Sequence, residues 1–253
     1  MGQTAWIEAG EGGQPIVFLH GLGGTSGAWG PQMDFFSGSR RCLAWDMPGY
    51  GDSAAEDPLT YAAIADRLVA FLDDADVAEA DLVGLSFGGM HALHTALRHP
   101  ARIRKMVLAN TSPAFGMNGT DPDEWKQARL APLDAGETPA SMAPMVLDAI
   151  AGSPLDAQIR ADLVAAFGRI RSDGLRAAVE CLPHNDIRSE LSSITHECLV
   201  IAGELDEETP VAYAEVLAQG LSNGQLEVMP GIGHLSPSEN PNGFNALVDR
   251  FLG

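Results

Sequence analysis

Leu82-Val83-Gly84-Leu85-Ser86-Phe87-Gly88-Gly89-Met90 places a serine between two glycines where an apolar run hands over to a helix-forming one. A strand that turns this sharply into a helix strains its apex residue and brings strand and helix into contact. Side chains two positions before and after the apex would block that contact, so Gly84 and Gly88 meet a steric demand. Such a turn is what a nucleophilic serine needs.

The spacing by itself discriminates little. With 28 Gly and 15 Ser in 253 residues, a G-x-S-x-G match arises by chance in roughly one chain in six of this composition. A second match, Gly220-Leu221-Ser222-Asn223-Gly224, is present. It follows a helical stretch, Val211 to Gln219, and precedes an apolar run, Leu226 to Met229, so the order is reversed. There Gly220 reads as a helix-ending glycine and Asn223-Gly224 as a turn, which leaves Ser222 structural. Context selects Ser86.

Around Ser86, short apolar runs alternate with longer helix-period segments, the pattern of a mostly parallel sheet covered by helices. The strands are expected at Ile16–His20, Cys42–Asp46, Asp81–Leu85, Ile103–Asn110, Cys198–Ala202 and Leu226–Met229, with Thr4–Ala9 as an added edge strand. Helices are expected at Tyr61–Ala75, Phe87–Arg98, Pro210–Gly220 and Asn242–Leu252. From Pro113 to Ser193 the strand rhythm stops and the chain becomes helix-like and rich in Pro, Ala and Met. The expectation is therefore an α/β core formed by residues 1–112 and 194–253, with residues 113–193 inserted as a helical lid. Trp125, Met142, Met145 and Phe167 of this insertion are candidates to line a pocket, although apolar residues at helical spacing also serve as packing faces.

The formal charge of −19, from 34 acidic against 15 basic residues, opposes attraction to nucleic acid or to anionic lipid surfaces. No apolar run is long enough to span a bilayer. Met1 to Gly13 lacks the basic and apolar blocks of a secretory signal, and the three cysteines (Cys42, Cys181, Cys198) are an odd number without metal-ligand spacing. These features point to a reducing cytoplasm and to Cys42 and Cys198 as small core residues.

A serine hydroxyl becomes a useful nucleophile when a base takes its proton and a carboxylate holds that base. Of seven histidines, His91, His94 and His99 follow Ser86 along its helix and point away from the turn. His184 and His196 lie in or beside the insertion, and His20 orders the glycine-rich loop that follows it. His234 remains, in the loop Pro230-Gly231-Ile232-Gly233-His234 directly after the last strand, at the sheet edge where catalytic loops collect. For the acid, Gly203-Glu204-Leu205-Asp206-Glu207-Glu208-Thr209-Pro210 follows the penultimate strand. Glu204, Glu207 and Glu208 are explained as acids favoured near a helix N-terminus, whereas Asp206 has the short side chain suited to a fixed hydrogen bond. Asn110, at the end of an earlier strand, cannot supply the charge. The loop His20-Gly21-Leu22-Gly23-Gly24 can turn backbone N–H groups toward a bound carbonyl, with the amides of Leu22 and Phe87 as the donors. It lacks the lysine and the spacing of phosphate-binding loops.

With these motifs in order, the chain resembles the alpha/beta-hydrolase superfamily. The matching segments are His20-Gly21-Leu22-Gly23, Asp46-Met47-Pro48-Gly49-Tyr50-Gly51-Asp52-Ser53, Gly84 to Gly88, Gly203 to Pro210 and Gly233-His234. The resemblance covers nearly the whole chain and implies Ser86 as nucleophile, His234 as base, Asp206 as orienting acid, and Leu22 and Phe87 as amide donors. It also implies a mainly structural role for Asp46 to Ser53 and a first strand that is missing or reduced. Within the superfamily the chain looks most like small carboxylesterases and the 3-oxoadipate enol-lactonase group, through Gly84–Met90 and Val107–Ser112. Serine at position 86 argues against the haloalkane dehalogenase and epoxide hydrolase branches.

The activity implied is cleavage of a small ester or lactone, with no metal or organic cofactor. Carbon–carbon bond hydrolysis, acyl transfer, lyase chemistry and a hydrolase-derived ligand receptor are the alternatives that the same constellation supports. Arg129 and Arg176 are read as solvated rather than as binders of a substrate carboxylate.

Overall fold

The apolar runs become strands in a computed structural model, which describes residues 2–253. Strands β1 (Trp6–Ala9), β2 (Ile16–Leu19), β3 (Cys42–Trp45), β4 (Ala80–Leu85), β5 (Ile103–Ala109), β6 (Glu197–Gly203) and β7 (Asn223–Met229) form one sheet, ordered β1-β3-β2-β4-β5-β6-β7. β1 is antiparallel to β3, and every other neighbouring pair is parallel. The helices are α1 (Gly30–Phe36), α2 (Tyr61–Asp74), α3 (Phe87–Arg98), α4 (Pro122–Asp134), α5 (Pro139–Ile150), α6 (Ala157–Gly168), α7 (Ser172–Cys181), α8 (Val211–Gly220), α9 (Ser236–Glu239) and α10 (Pro241–Leu252).

Alternate residues of each central strand bury opposite faces, so apolar side chains fill most strand positions rather than alternating with polar ones. Val17, Leu19, Leu43, Trp45, Leu82 and Met106 pack with Ile64, Leu68 and Phe71 of α2 and Leu93 of α3. Ile16, Phe18, Val83, Val107 and Ile201 pack instead with Phe36 of α1 and Phe244 and Val248 of α10. Full burial of each such aliphatic or aromatic side chain is worth about 1.5–3 kcal/mol relative to exposure. Cys42, Cys181 and Cys198 are free and buried. Burial pushes their thiols up to about 11 for Cys42 and about 12 for the other two, which leaves them unreactive packing residues.

Between β5 and β6 the described chain carries α4 to α7 and no strand of the sheet. Local capping starts three of these helices: Asp121 accepts from Asp123 N–H and Glu124 N–H, Thr138 and Ser141 form a reciprocal pair, and Asp156 accepts from Gln158 N–H and Ile159 N–H.

Two local expectations are corrected. Asn223 and Gly224 do not turn but open β7, paired with Glu197 and Cys198. A Cβ on Gly224 would lie 2.3 Å from the Ala218 carbonyl oxygen, so the glycine permits a close approach to α8. Ser222 beside it donates to the Ser192 carbonyl at 2.8 Å on the surface. His99 lies one residue beyond α3, where it contacts Asp66 at 2.6 Å.

The strand order sets the location of the site. After β2 the chain crosses to β3 on one side and returns to β4 on the other, so the loops leaving β2 and β4 diverge. A crevice opens at such a switch point, at the carboxyl ends of the strands. Leu19 pairs with Gly84, Leu85 with Ala109, Ala109 with Ile201, and Gly203 with Met229. The segments after β2, β4, β5, β6 and β7 therefore emerge at one edge.

Candidate active site

Ser86 occupies φ 53° and ψ −117°, immediately before α3. A non-glycine residue there costs about 1–3 kcal/mol and persists only where its surroundings fix it. Ser86 N–H donates to the Ala109 carbonyl at 2.8 Å, while the Ser86 carbonyl accepts from Thr111 Oγ1 at 2.7 Å and Gly89 N–H at 2.9 Å. A Cβ on Gly84 would stand 2.5 Å from the Gly88 carbonyl oxygen, and one on Gly88 would stand 2.1 Å from that of Leu19. Both glycines are sterically required where the sequence pattern placed them.

Asp206 and His234 meet across the loops after β6 and β7. His234 Nδ1–H donates to the Asp206 carboxylate, 2.9 Å from Oδ2 and 3.0 Å from Oδ1. This fixes the tautomer and leaves Nε2 as the proton acceptor. Asp206 is buried and further held by Asn110 Nδ2 at 2.9 Å, Thr209 Oγ1 at 2.8 Å, and the Glu208 and Thr209 amides, each at 2.9 Å. Burial favours the neutral acid, but the hydrogen bonds and charge of His234, with those of Thr209 and Asn110, outweigh it and hold the carboxyl below its ordinary value. Burial likewise opposes the imidazolium of His234. The Asp206 hydrogen bond and charge, with Glu208 and Glu239 nearby, outweigh that penalty and raise its pKa.

Asn110, set aside as an acid because it is an amide, acts as a donor instead. Its Nδ2 bridges Asp206 and the Gly233 carbonyl, and its Oδ1 accepts from Ser236 Oγ at 2.5 Å. A polar side chain at a strand end was the available signal. Glu239 was also missed. Its carboxylate accepts from the Gly152, Ser153, Gly233 and Leu235 amides and from Ser153 Oγ, at 2.8 to 3.0 Å. It thereby ties the His234 loop to the turn between α5 and α6, and His234 N–H itself donates to the Ile150 carbonyl at 3.1 Å.

The glycine loop after β2 lies against this group. A Cβ on Gly21 would be 3.3 Å from Ser86 Cβ. Tyr50 Oη donates to the Leu22 carbonyl at 3.0 Å, and His20 Nε2 accepts from Met47 N–H at 3.1 Å. The Asp46–Ser53 segment therefore braces the loop; within it Ser53 Oγ donates to the Asp46 carbonyl at 2.6 Å. Among the described residues, neither Leu22 N–H nor Phe87 N–H donates to a protein acceptor. The Phe87 side chain is buried in the core, so only its backbone can face the crevice.

Ser86 and His234 line one cavity of about 620 Å³, which Leu22, Trp125, Met142 and Met145 also line. Phe167 of α6 closes over the loop, lying 2.6 Å from where a Gly23 Cβ would stand. No hydrogen bond joins Ser86 Oγ to His234 among the described residues; in unliganded sites such contacts are commonly long and tighten when substrate binds. Arg129 is corrected from a solvated residue to a cavity-lining one, half-buried over the Trp125 ring at 4.2 Å and paired with Glu208 at 3.0 Å. Its ion pair with Glu208 ties α4 to the loop after β6. Arg176 is half-buried and pairs with Asp134 at 2.6 Å.

The family model for the alpha/beta hydrolase fold matches residues 14–241. The chain is an alpha/beta hydrolase. This hydrolase is 31% identical over 252 residues to a 2-hydroxymuconate semialdehyde hydrolase of Pseudomonas putida, covering 95% of this chain and 87% of that one. It is 28% identical to a pimeloyl-[acyl-carrier protein] methyl ester esterase of Yersinia pseudotuberculosis, covering 99% and 98% of the two chains. Among solved structures, the enol-lactonase from Burkholderia xenovorans LB400 superposes with a TM-score of 0.87 at 25% identity, covering 99% of this hydrolase and 96% of that chain. Among the described residues, no helix is long and apolar enough to cross a membrane.

Proposed function

We propose that this hydrolase opens small, mainly apolar carboxylic esters or lactones through an acyl-enzyme on Ser86. The observation that carries the reading is the hydrogen bond of His234 Nδ1 to a buried, multiply held Asp206, with His234 and Ser86 on one cavity. In this reading Ser86 Oγ attacks the carbonyl carbon while His234 Nε2 takes its proton, and Asp206 stabilises the imidazolium. The tetrahedral oxyanion is met by the Leu22 and Phe87 amides, which among the described residues have no competing protein acceptor. His234 then protonates the departing alcohol, and a water that it deprotonates releases the acid. Trp125, Met142 and Met145 supply apolar contacts to the substrate.

Ser86→Ala removes the nucleophile and leaves the strained turn in place. The expected loss of turnover on short acyl esters and lactones is about 10³-fold or more, with an unchanged circular dichroism spectrum. Near-normal ester cleavage by the variant would refute the reading. Carbon–carbon bond hydrolysis is the second reading, favoured by the 31% identical semialdehyde hydrolase. Product analysis separates the two, because only the first yields an alcohol or an opened lactone.

A further inference from the structure

The cavity is apolar over most of its wall, and Arg129 is its only cationic side chain among the described residues. That charge is already engaged: its Nη2 lies 3.0 Å from Glu208 Oε2, and its guanidinium stacks over Trp125. Glu207 lines the same cavity. His20 adds no charge, because complete burial depresses its pKa despite the Gly21 carbonyl and the Asp46 carboxylate beside it. With His234 neutral, as a base must be, the wall carries two carboxylates against one guanidinium in a chain whose formal charge is −19. A carboxylate on the substrate would have to displace Glu208 from Arg129 and leave two carboxylates beside it, and like charges brought together this way oppose binding.

We propose that this cavity selects substrates whose acyl part carries no charge, and that Glu208 sets this preference by occupying Arg129. The inference rests on the ester- or lactone-cleaving reading and adds the substrate's charge class. It also makes the Arg129–Glu208 pair, which joins α4 to the loop carrying Asp206, a latent anion site. Removing the Glu208 charge releases the guanidinium.

The test compares the dimethyl and monomethyl esters of one aliphatic dicarboxylic acid, which differ at the far end in charge. The wild-type chain is expected to show kcat/KM at least about tenfold higher for the diester. Glu208→Gln should narrow that ratio about tenfold or invert it, and adding Arg129→Gln should cancel the gain. Taking the ratio within each variant removes any effect of Glu208 on His234. Equal use of both esters by the wild-type chain, or an unchanged ratio in Glu208→Gln, would overturn the proposal and leave the hydrolytic reading intact. Failure of the hydrolytic reading looks different: the wild-type chain then cleaves neither ester, and the inference falls with it.

Discussion

In the proposed mechanism His234 must be neutral to accept a proton from Ser86, and Asp206 shifts the pH at which it is. Although burial opposes the imidazolium, Asp206 raises the pKa of His234 above its ordinary value near 6.5. The base is therefore protonated and lost as pH falls through a value above 6.5, so kcat/KM should show an acid limb with its midpoint there. Asp206→Asn removes the charge and the fixed tautomer: kcat should fall about 10³–10⁴-fold and the remaining acid limb should move to lower pH, both read from a pH–rate profile. A midpoint that stays put would detach Asp206 from His234. Ser86, Asp206 and His234 were legible in the sequence because each sits in a short loop directly after a strand, where type and position limit the choices. Asn110 and Glu239 were not, since their contacts join segments far apart in the chain. Arg129 was misread for the same reason: nothing local shows that α4 lays it over the cavity.

At the scale of elements, α3 and the Glu239 staple give separate predictions. His91 of α3 is fully buried among Trp45, Tyr61 and Phe87, and among the described residues neither of its ring nitrogens has a hydrogen-bond partner. Burial, aided by the nearby His20 and His94, drives its pKa well below the ordinary value. The unfolded chain then binds the proton more readily, so this residue's contribution to stability is present above about pH 6.5 and is lost as pH falls toward the folded value. His91→Leu should flatten the fall in melting temperature between pH 7 and pH 5, and an unchanged slope would remove His91 as its source. Glu239→Gln retains the shape of the staple but turns an amide NH₂ toward groups that themselves donate. We expect kcat to drop about tenfold with KM changing less, because the loop of His234 loosens while the cavity wall persists. The strands and α3 were readable from apolar runs and turn residues, since parallel strands buried on both faces leave little else that fits. Asn223-Gly224 misled because a glycine needed for close packing and a glycine needed for a turn look alike in sequence.

At the scale of the whole molecule, the sheet order brings together what the chain separates. Ser86 lies 120 residues before Asp206 and 148 before His234, yet the carboxyl ends of β4, β6 and β7 share one edge. The helices between β5 and β6 complete the enclosure, and their approach is set by close contacts such as Phe167 on Gly23. The sequence signalled that these helices interrupt the strand rhythm but gave no shape for the cavity beneath them, because that shape depends on how α4 to α7 pack on the loops. In the proposed mechanism this assembly makes one serine, Ser86, a nucleophile. Reaction of the intact protein with a fluorophosphonate, followed by peptide mass spectrometry, reads that directly. The prediction is a single phosphonyl adduct on Ser86, formed rapidly and abolished in His234→Ala; an adduct on Ser222 or another residue, or none at all, would contradict it.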